Sequence, residues 1–423
     1  MTSTIDADGV TATSSDRATI RSRVRERMRE QGLAGYVAFT PSNVAYLSGF
    51  VSYFLSTWWR MHGTVMVAMA TDGDLPPVLI VGDAEGEAAR GASVDCDVVD
   101  YPMWVETRGY ADILRDPGSE LRRPSQWRDE DIADRLAASL RELGLTSGRV
   151  GTDLRYIPHH AFQMLQAAAP DVEWVDLSDA MYDVRSVKLP FEIERLRAAS
   201  ELAEAGMSHA ARQAGVGATV ADVRSFYFEG VAGASRTATR YRDLADMWVL
   251  PGMGSQAPIG AVAGDASGMR PGDLLKFDCG TTVGGYRSDH GRTFVLGEPS
   301  REAATLYQHL STAHEHAVAA MRPGALASDV FEAADAYMHG HGYPGYRRGH
   351  FGHSVGLDSF HEEPPFLAAE DRTPLKQGMV FAVETPFYGA DLGPIMLEDL
   401  VLVTADGAEF VTHLPRTLMP AGG

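Results

Sequence analysis

Cysteine is nearly absent from this chain: Cys96 and Cys279 are the only two in 423 residues. Two thiols make no disulfide framework, so a packed core must hold the fold and a reducing cytoplasm is the expected compartment. Positive charge is also scarce. Lysine and arginine number 37 against 57 aspartates and glutamates, a net charge of −20. A surface that acidic repels phosphate backbones, which argues against nucleic acid as a partner. No stretch approaches the ~18–20 consecutive apolar residues a membrane helix needs. Residues 1–16 are polar, and no apolar core follows a basic start, so no secretory signal is expected. Histidine is missing from the whole interval between His209 and His290. Apolar residues are plentiful at 45%, enough for two ordinary domains.

Residues 1–16, rich in Thr, Ser, Asp and Ala, read as a disordered tail. Residues 17–31 carry Ile20, Val24 and Met28 at helical spacing. Apolar segments at 35–39, 64–70 and 77–81 alternate with helical ones at 43–47 and 83–89; a further amphipathic helix at 129–143 and a short strand at 150–154 complete an α/β domain over 17–183. A linker over 184–190 leads into a long helix that opens at Pro190, a favourable first helical position, and the second domain spans 191–423. Helices at 300–321 and 328–338 start with Ser300 and Ser328 as expected N-caps. Met-Arg-Pro-Gly occurs twice, at 269–272 and 321–324. It marks either a pseudo-twofold or two ordinary turns.

The second half holds Asp278, Asp289, His353, Glu384 and Glu398. Four carboxylates and one imidazole form a hard, oxygen-rich donor set, suited to one or two divalent ions such as Mn, Co, Fe or Zn. Residues 273–280 and 286–296 read as strands, with Gly284 and Gly285 permitting a tight reversal. A reversal centred between Val283 and Gly284 sets Asp278 directly opposite Asp289, with Cβ atoms about 4.5–5.5 Å apart. Residues 379–384 and 395–404 form a second apolar strand pair that carries Glu384 and Glu398 at comparable depth. A lone Asp near a turn is ordinarily a cap, and a Glu before an Asp is ordinarily solvated. The conjunction is what points to a metal, because these carboxylates lie in apolar strands where an unpaired charge is costly. Cys279 alternates away from Asp278 and reads as a buried structural thiol.

With these blocks in view, the chain resembles the creatinase/prolidase/aminopeptidase P/methionine aminopeptidase superfamily, closest to Xaa-Pro dipeptidase-like members. Asp278-x-Gly with Tyr286-x-Ser-Asp289-x-Gly-Arg292-Thr293 is the most specific piece. Arg185-Ser-Val-Lys188, Gly-His353-Ser-Val-Gly-Leu357 followed by His361-Glu362, and Phe381-Ala-Val-Glu384-Thr-Pro with Leu397-Glu398-Asp399 add to it. The resemblance implies an α/β N-terminal domain plus an α+β pita-bread catalytic domain with a curved, mainly antiparallel sheet. It also implies two divalent metal ions, with Asp289 and Glu398 bridging, Asp278 on one ion and His353 on the other. Glu384 would ligate and act as general base for a metal-activated water, and His361 would stabilise the intermediate or departing group. A homodimer acting on a short peptide or small molecule is expected. Three departures touch substrate recognition. Ala261 stands where peptidase members carry a histidine, Met396 where many carry an arginine, and the His353–His361 segment is one residue longer.

Other residues carry weaker expectations. Trp58, Trp59 and Arg60 line either a substrate pocket or a structural patch. His350 is a candidate substrate contact, and Arg292 a candidate partner of a ligand carboxylate. His290 reads as structural, and His314 and His316 as helix surface. The leading reading is a dinuclear metallohydrolase of a C–N bond, Xaa-Pro dipeptidase-like. The rivals are a relative turned to creatinase-like hydrolysis or metal-assisted elimination, and a non-catalytic binding protein.

Overall fold

The computed structural model describes residues 10–93, 95–106, 108–115, 122–254, 268–358, 360, 362–389 and 391–423. They form two compact units, Ala12–Val184 and Arg185–Gly423, the latter joined by Val10 and Thr11. The division falls at the start of the expected 184–190 linker.

In the N-terminal unit the alternating segments become a six-stranded mixed sheet. Its order is Asp97–Tyr101, Val78–Gly82, Met66–Ala70, Gly35–Ala38, Ser147–Thr152, Asp171–Asp176. The three strands Gly35–Ala38, Met66–Ala70 and Val78–Gly82 are buried along their whole length, which is why they read as continuous apolar runs. The first helix, Ser14–Glu30, starts inside the expected 1–16 tail, taking Ser14, Ser15 and Asp16 into its first turn; residues 1–9 lie outside the described residues. Thr13 accepts from the Asp16 N–H at 3.2 Å, and its own N–H donates to the Asp16 carboxylate at 2.8 Å. Polar residues that look like disorder by composition here build a capping box. Val10 is buried too, and its carbonyl accepts from Arg195 Nε at 2.8 Å.

The C-terminal unit is an eleven-stranded, mainly antiparallel sheet. Its main path runs Tyr286–Arg287, Leu274–Val283, His290–Leu296, Glu398–Val403, Val380–Glu384, His350–Ser354, Glu363–Ala368. This is the curled sheet of the pita-bread fold. Helices Pro190–Gln213 and Val220–Ala234 share one core with Leu275, Phe277 and Phe294. Helices Arg301–Ala320 and Ala327–Gly340 share another with Phe351, Phe381 and Val401. Ser300 caps its helix as expected, accepting from the Ala303 N–H. Ser328 does not: the cap is Leu326, whose N–H donates to the Asp329 carboxylate at 2.9 Å, and Ser328 is buried in the first turn. Both Met-Arg-Pro-Gly copies bury the methionine and put the glycine at positive φ. One copy leads into a strand and the other into a helix, so the repeat reflects shared turn chemistry. Among the described residues no helix is long and apolar enough to cross a membrane.

Candidate metal centre

The site begins with the Gly284-Gly285 hairpin. Val283 pairs with Tyr286 and Asp278 with Gly291. Both turn glycines have positive φ, 55° and 88°, as a two-residue hairpin loop of matching twist requires. The reversal is therefore centred one residue later than expected, and Asp278 faces Gly291 rather than Asp289. Moving a turn centre by one residue shifts the pairing by two, which preserves the face. Asp289 becomes the diagonal neighbour of Asp278 on the same side. Gly291 makes the room: a Cβ there would lie 2.0 Å from Met396 Cγ and 3.2 Å from Glu398 Oε2. Glu384 and Glu398 sit directly opposite each other, and His353 pairs with Ala382 on the next strand.

These strands bring three groups into one cluster. His353 Nε2 is 3.6 Å from Asp289 Oδ2 and 4.0 Å from Glu398 Oε1, and one ligand atom from each residue lies within 4.8 Å of the others. All three side chains are buried. His353 Nδ1 lies 3.1 Å from the Ser354 carbonyl, which turns Nε2 toward the carboxylates. Asp278 and Glu384 are held differently. Lys276 Nζ donates to Asp278 Oδ2 at 3.0 Å. Arg348 Nη2 donates to Glu384 Oε1 at 2.8 Å, and His350 Nδ1 lies 3.3 Å from the same oxygen.

Electrostatics ties the set together. Burial, then the charges of Asp278 and Glu384, push the Asp289 carboxyl well above its ordinary range. Burial, then Asp289, Glu384 and Asp278, do the same to Glu398. Burial also raises Glu384, with Arg348 opposing. Mutually repelling carboxylates at a buried focus, with one imidazole nitrogen among them, fit a hard divalent cation.

Several expectations need revision. Arg292 pairs with Asp399, not with a ligand carboxylate, and holds the site through the Glu398 backbone carbonyl at 2.7 Å. His314 is fully buried rather than at the surface; His316 is exposed. His361 and Ala261 lie outside the described residues. Trp58, Trp59 and Arg60 belong to the N-terminal unit, where Trp58 stacks on Phe54 and Trp59 is exposed. Cys279 and His290 are both buried.

Four participants were given no role in the sequence reading. Lys276 and Arg348 touch ligand carboxylates. Asp399 anchors Arg292, Arg416 and Thr412. Lys188, buried, donates to Ser354 Oγ at 2.9 Å and so ties the start of the C-terminal unit to the residue after His353. A period-two count would have found Lys276, two residues before Asp278 on the same strand face.

Such a sheet and donor set define a metal-dependent hydrolase of the pita-bread class, an enzyme of the dinuclear metallohydrolase type. The chain belongs to metallopeptidase family M24, whose model matches residues 194–405, and a creatinase/prolidase N-terminal domain matches residues 21–187. Family membership sets aside the reading as a non-catalytic binding protein. The chain is 32% identical over 249 residues to a Xaa-Pro dipeptidase of Pyrococcus furiosus, covering 58% of this chain and 69% of that protein. It is 26% identical over 400 residues to the Xaa-Pro dipeptidase of Lactobacillus delbrueckii subsp. lactis, covering 94% and 97%. The solved Xaa-Pro dipeptidase from Bacillus anthracis shares the fold at a TM-score of 0.76 and 22% identity, over 95% of this chain and 99% of that one.

Proposed function

We propose that the protein hydrolyses the C–N bond of Xaa-Pro dipeptides or closely similar small amides, with Asp278, Asp289, His353, Glu384 and Glu398 as ligands of two divalent ions. The observation that carries this reading is the convergence of Asp289, His353 and Glu398 at one buried point, flanked by Asp278 and Glu384. The ions, Mn, Co, Fe or Zn, would supply a more acidic water and polarise the substrate carbonyl. Glu384 would take the water's proton; burial raises its carboxyl above the ordinary range, with Arg348 opposing. Arg348 and His350 orient that carboxylate. His361 serves the departing group. A cytoplasmic homodimer completes the reading: both cysteines are free, and Tyr53, Trp58 and Trp59 form an exposed aromatic patch that a second copy would cover.

The test is hydrolysis of Gly-Pro and Ala-Pro by protein loaded with Mn²⁺ or Co²⁺. Turnover is expected, and Glu384→Gln should reduce kcat by about 10²–10⁴-fold. One observation favours a second reading, a non-peptide substrate: Met396 is a buried apolar residue packed on Gly291, at the position where the resemblance expects an arginine. Metal-loaded protein that leaves every proline dipeptide intact would move the assignment there. Product masses from a small-molecule panel would then tell hydrolysis from elimination.

A further inference from the structure

We propose that Lys276 is a resident cation of the metal centre: its ammonium competes with a divalent ion for Asp278. The centre then keeps one ion firmly at Asp289, His353 and Glu398 and admits a second only against Lys276. This inference rests on the metal reading above and concerns how the two positions differ.

Lys276 lies on the Leu274–Val283 strand two residues before Asp278, so strand alternation puts both side chains on one face. It is wholly buried, with Nζ 3.0 Å from Asp278 Oδ2 and 5.3 Å from the centre of the Tyr388 ring. A buried ammonium separated from its carboxylate is strongly disfavoured, so the pair resists opening. An ion seeking the same carboxylate must displace the lysine or share its lone pairs. Arg348 makes a similar claim on Glu384 at 2.8 Å. By contrast, tight convergence of ligand atoms is confined to three residues: only Asp289, His353 and Glu398 bring theirs within 4.8 Å of one another among the described residues. Charge points the same way: Lys276 and Arg348 already set two cationic groups against Asp278 and Glu384, so a second divalent ion adds positive charge where cations already sit unless an anion, such as the carboxylate of a bound dipeptide, enters with it.

The full-length protein is incubated with excess Mn²⁺ and desalted, and retained metal per chain is measured by inductively coupled plasma mass spectrometry. Wild type is expected to retain one equivalent, Lys276→Met two, and Lys276→Arg one. Two equivalents in wild type, or equal counts in wild type and Lys276→Met, overturn the proposal while leaving the metal reading intact. If Lys276→Met does not fold, Lys276→Gln decides: two retained equivalents are expected, and the single wild-type equivalent overturns the proposal. No retained metal in any of these proteins overturns the inference together with the metal reading beneath it.

Discussion

At His314 the imidazole Nε2 lies 3.0 Å from the Val383 carbonyl and 3.5 Å from Asp399 Oδ2, with Arg292 and Arg416 nearby. Burial is the main reason its pKa falls to about 4; Asp399 opposes the shift, and the two arginines reinforce it. A folded-state value below the unfolded ~6.5 means that the folded protein holds His314 neutral while the unfolded chain protonates it. This stability contribution is complete above pH ~6.5 and is lost as pH falls toward 4, a loss on the order of 3 kcal/mol. His314→Leu should lower stability at neutral pH, and its deficit relative to wild type should narrow as urea titrations step from pH 6.5 to 4. A deficit constant across that window would mean that the imidazole titrates alike in both states. The helix pattern already held the clue. Tyr307, Leu310, His314 and Ala317 follow one another at helical spacing and are all buried, so the histidine occupies a place in the apolar stripe. Asp399 was hidden by the opposite habit of mind: Glu398-Asp399 looks like a solvated pair, yet on a strand buried on both sides one carboxylate faces each layer.

Among the elements, the strands that carry the ligands were legible because their long apolar runs mark two-sided burial. Their pairing was less so. The turn centre depends on both glycines adopting positive φ, and the interruption between Tyr286–Arg287 and His290–Leu296 depends on contacts across the ladder. There the Thr281 N–H donates to Ser288 Oγ at 3.2 Å, a contact no local pattern announces. The face survived the error because the displaced turn changed the register by an even number. Gly291 is where this pairing is most exposed to substitution. In Gly291→Ala the new methyl meets Met396 Cγ at 2.0 Å and the Glu398 side chain at 3.1 Å. Overpacking of this kind costs about 1–3 kcal/mol, and the strand must shift away from Glu398 to relieve it. The variant should therefore unfold at lower temperature and retain less Mn²⁺ after desalting. Unchanged melting with full metal retention would show that Met396 alone gives way.

For the molecule as a whole, the division of labour follows the two units. The Ala12–Val184 unit has its own sheet and apolar cluster, while all five candidate ligands belong to the Arg185–Gly423 unit. A chain carrying −20 attracts divalent ions diffusely, so a general rise in melting temperature on adding metal does not identify a site. Location does. An ion bound only to the folded state adds about 2.7 kcal/mol at a free concentration 100 times its Kd, and amide exchange reports that gain where the ligands are. Chelating the metal should speed exchange in Leu274–Val283, His290–Leu296, Val380–Glu384 and Glu398–Val403, by up to about 100-fold in the slowest amides. The six-stranded sheet of the N-terminal unit should exchange at its former rate. Equal acceleration in both units would point to diffuse ion binding by the acidic surface, and exchange unchanged in the ligand strands would mean that no ion is held there.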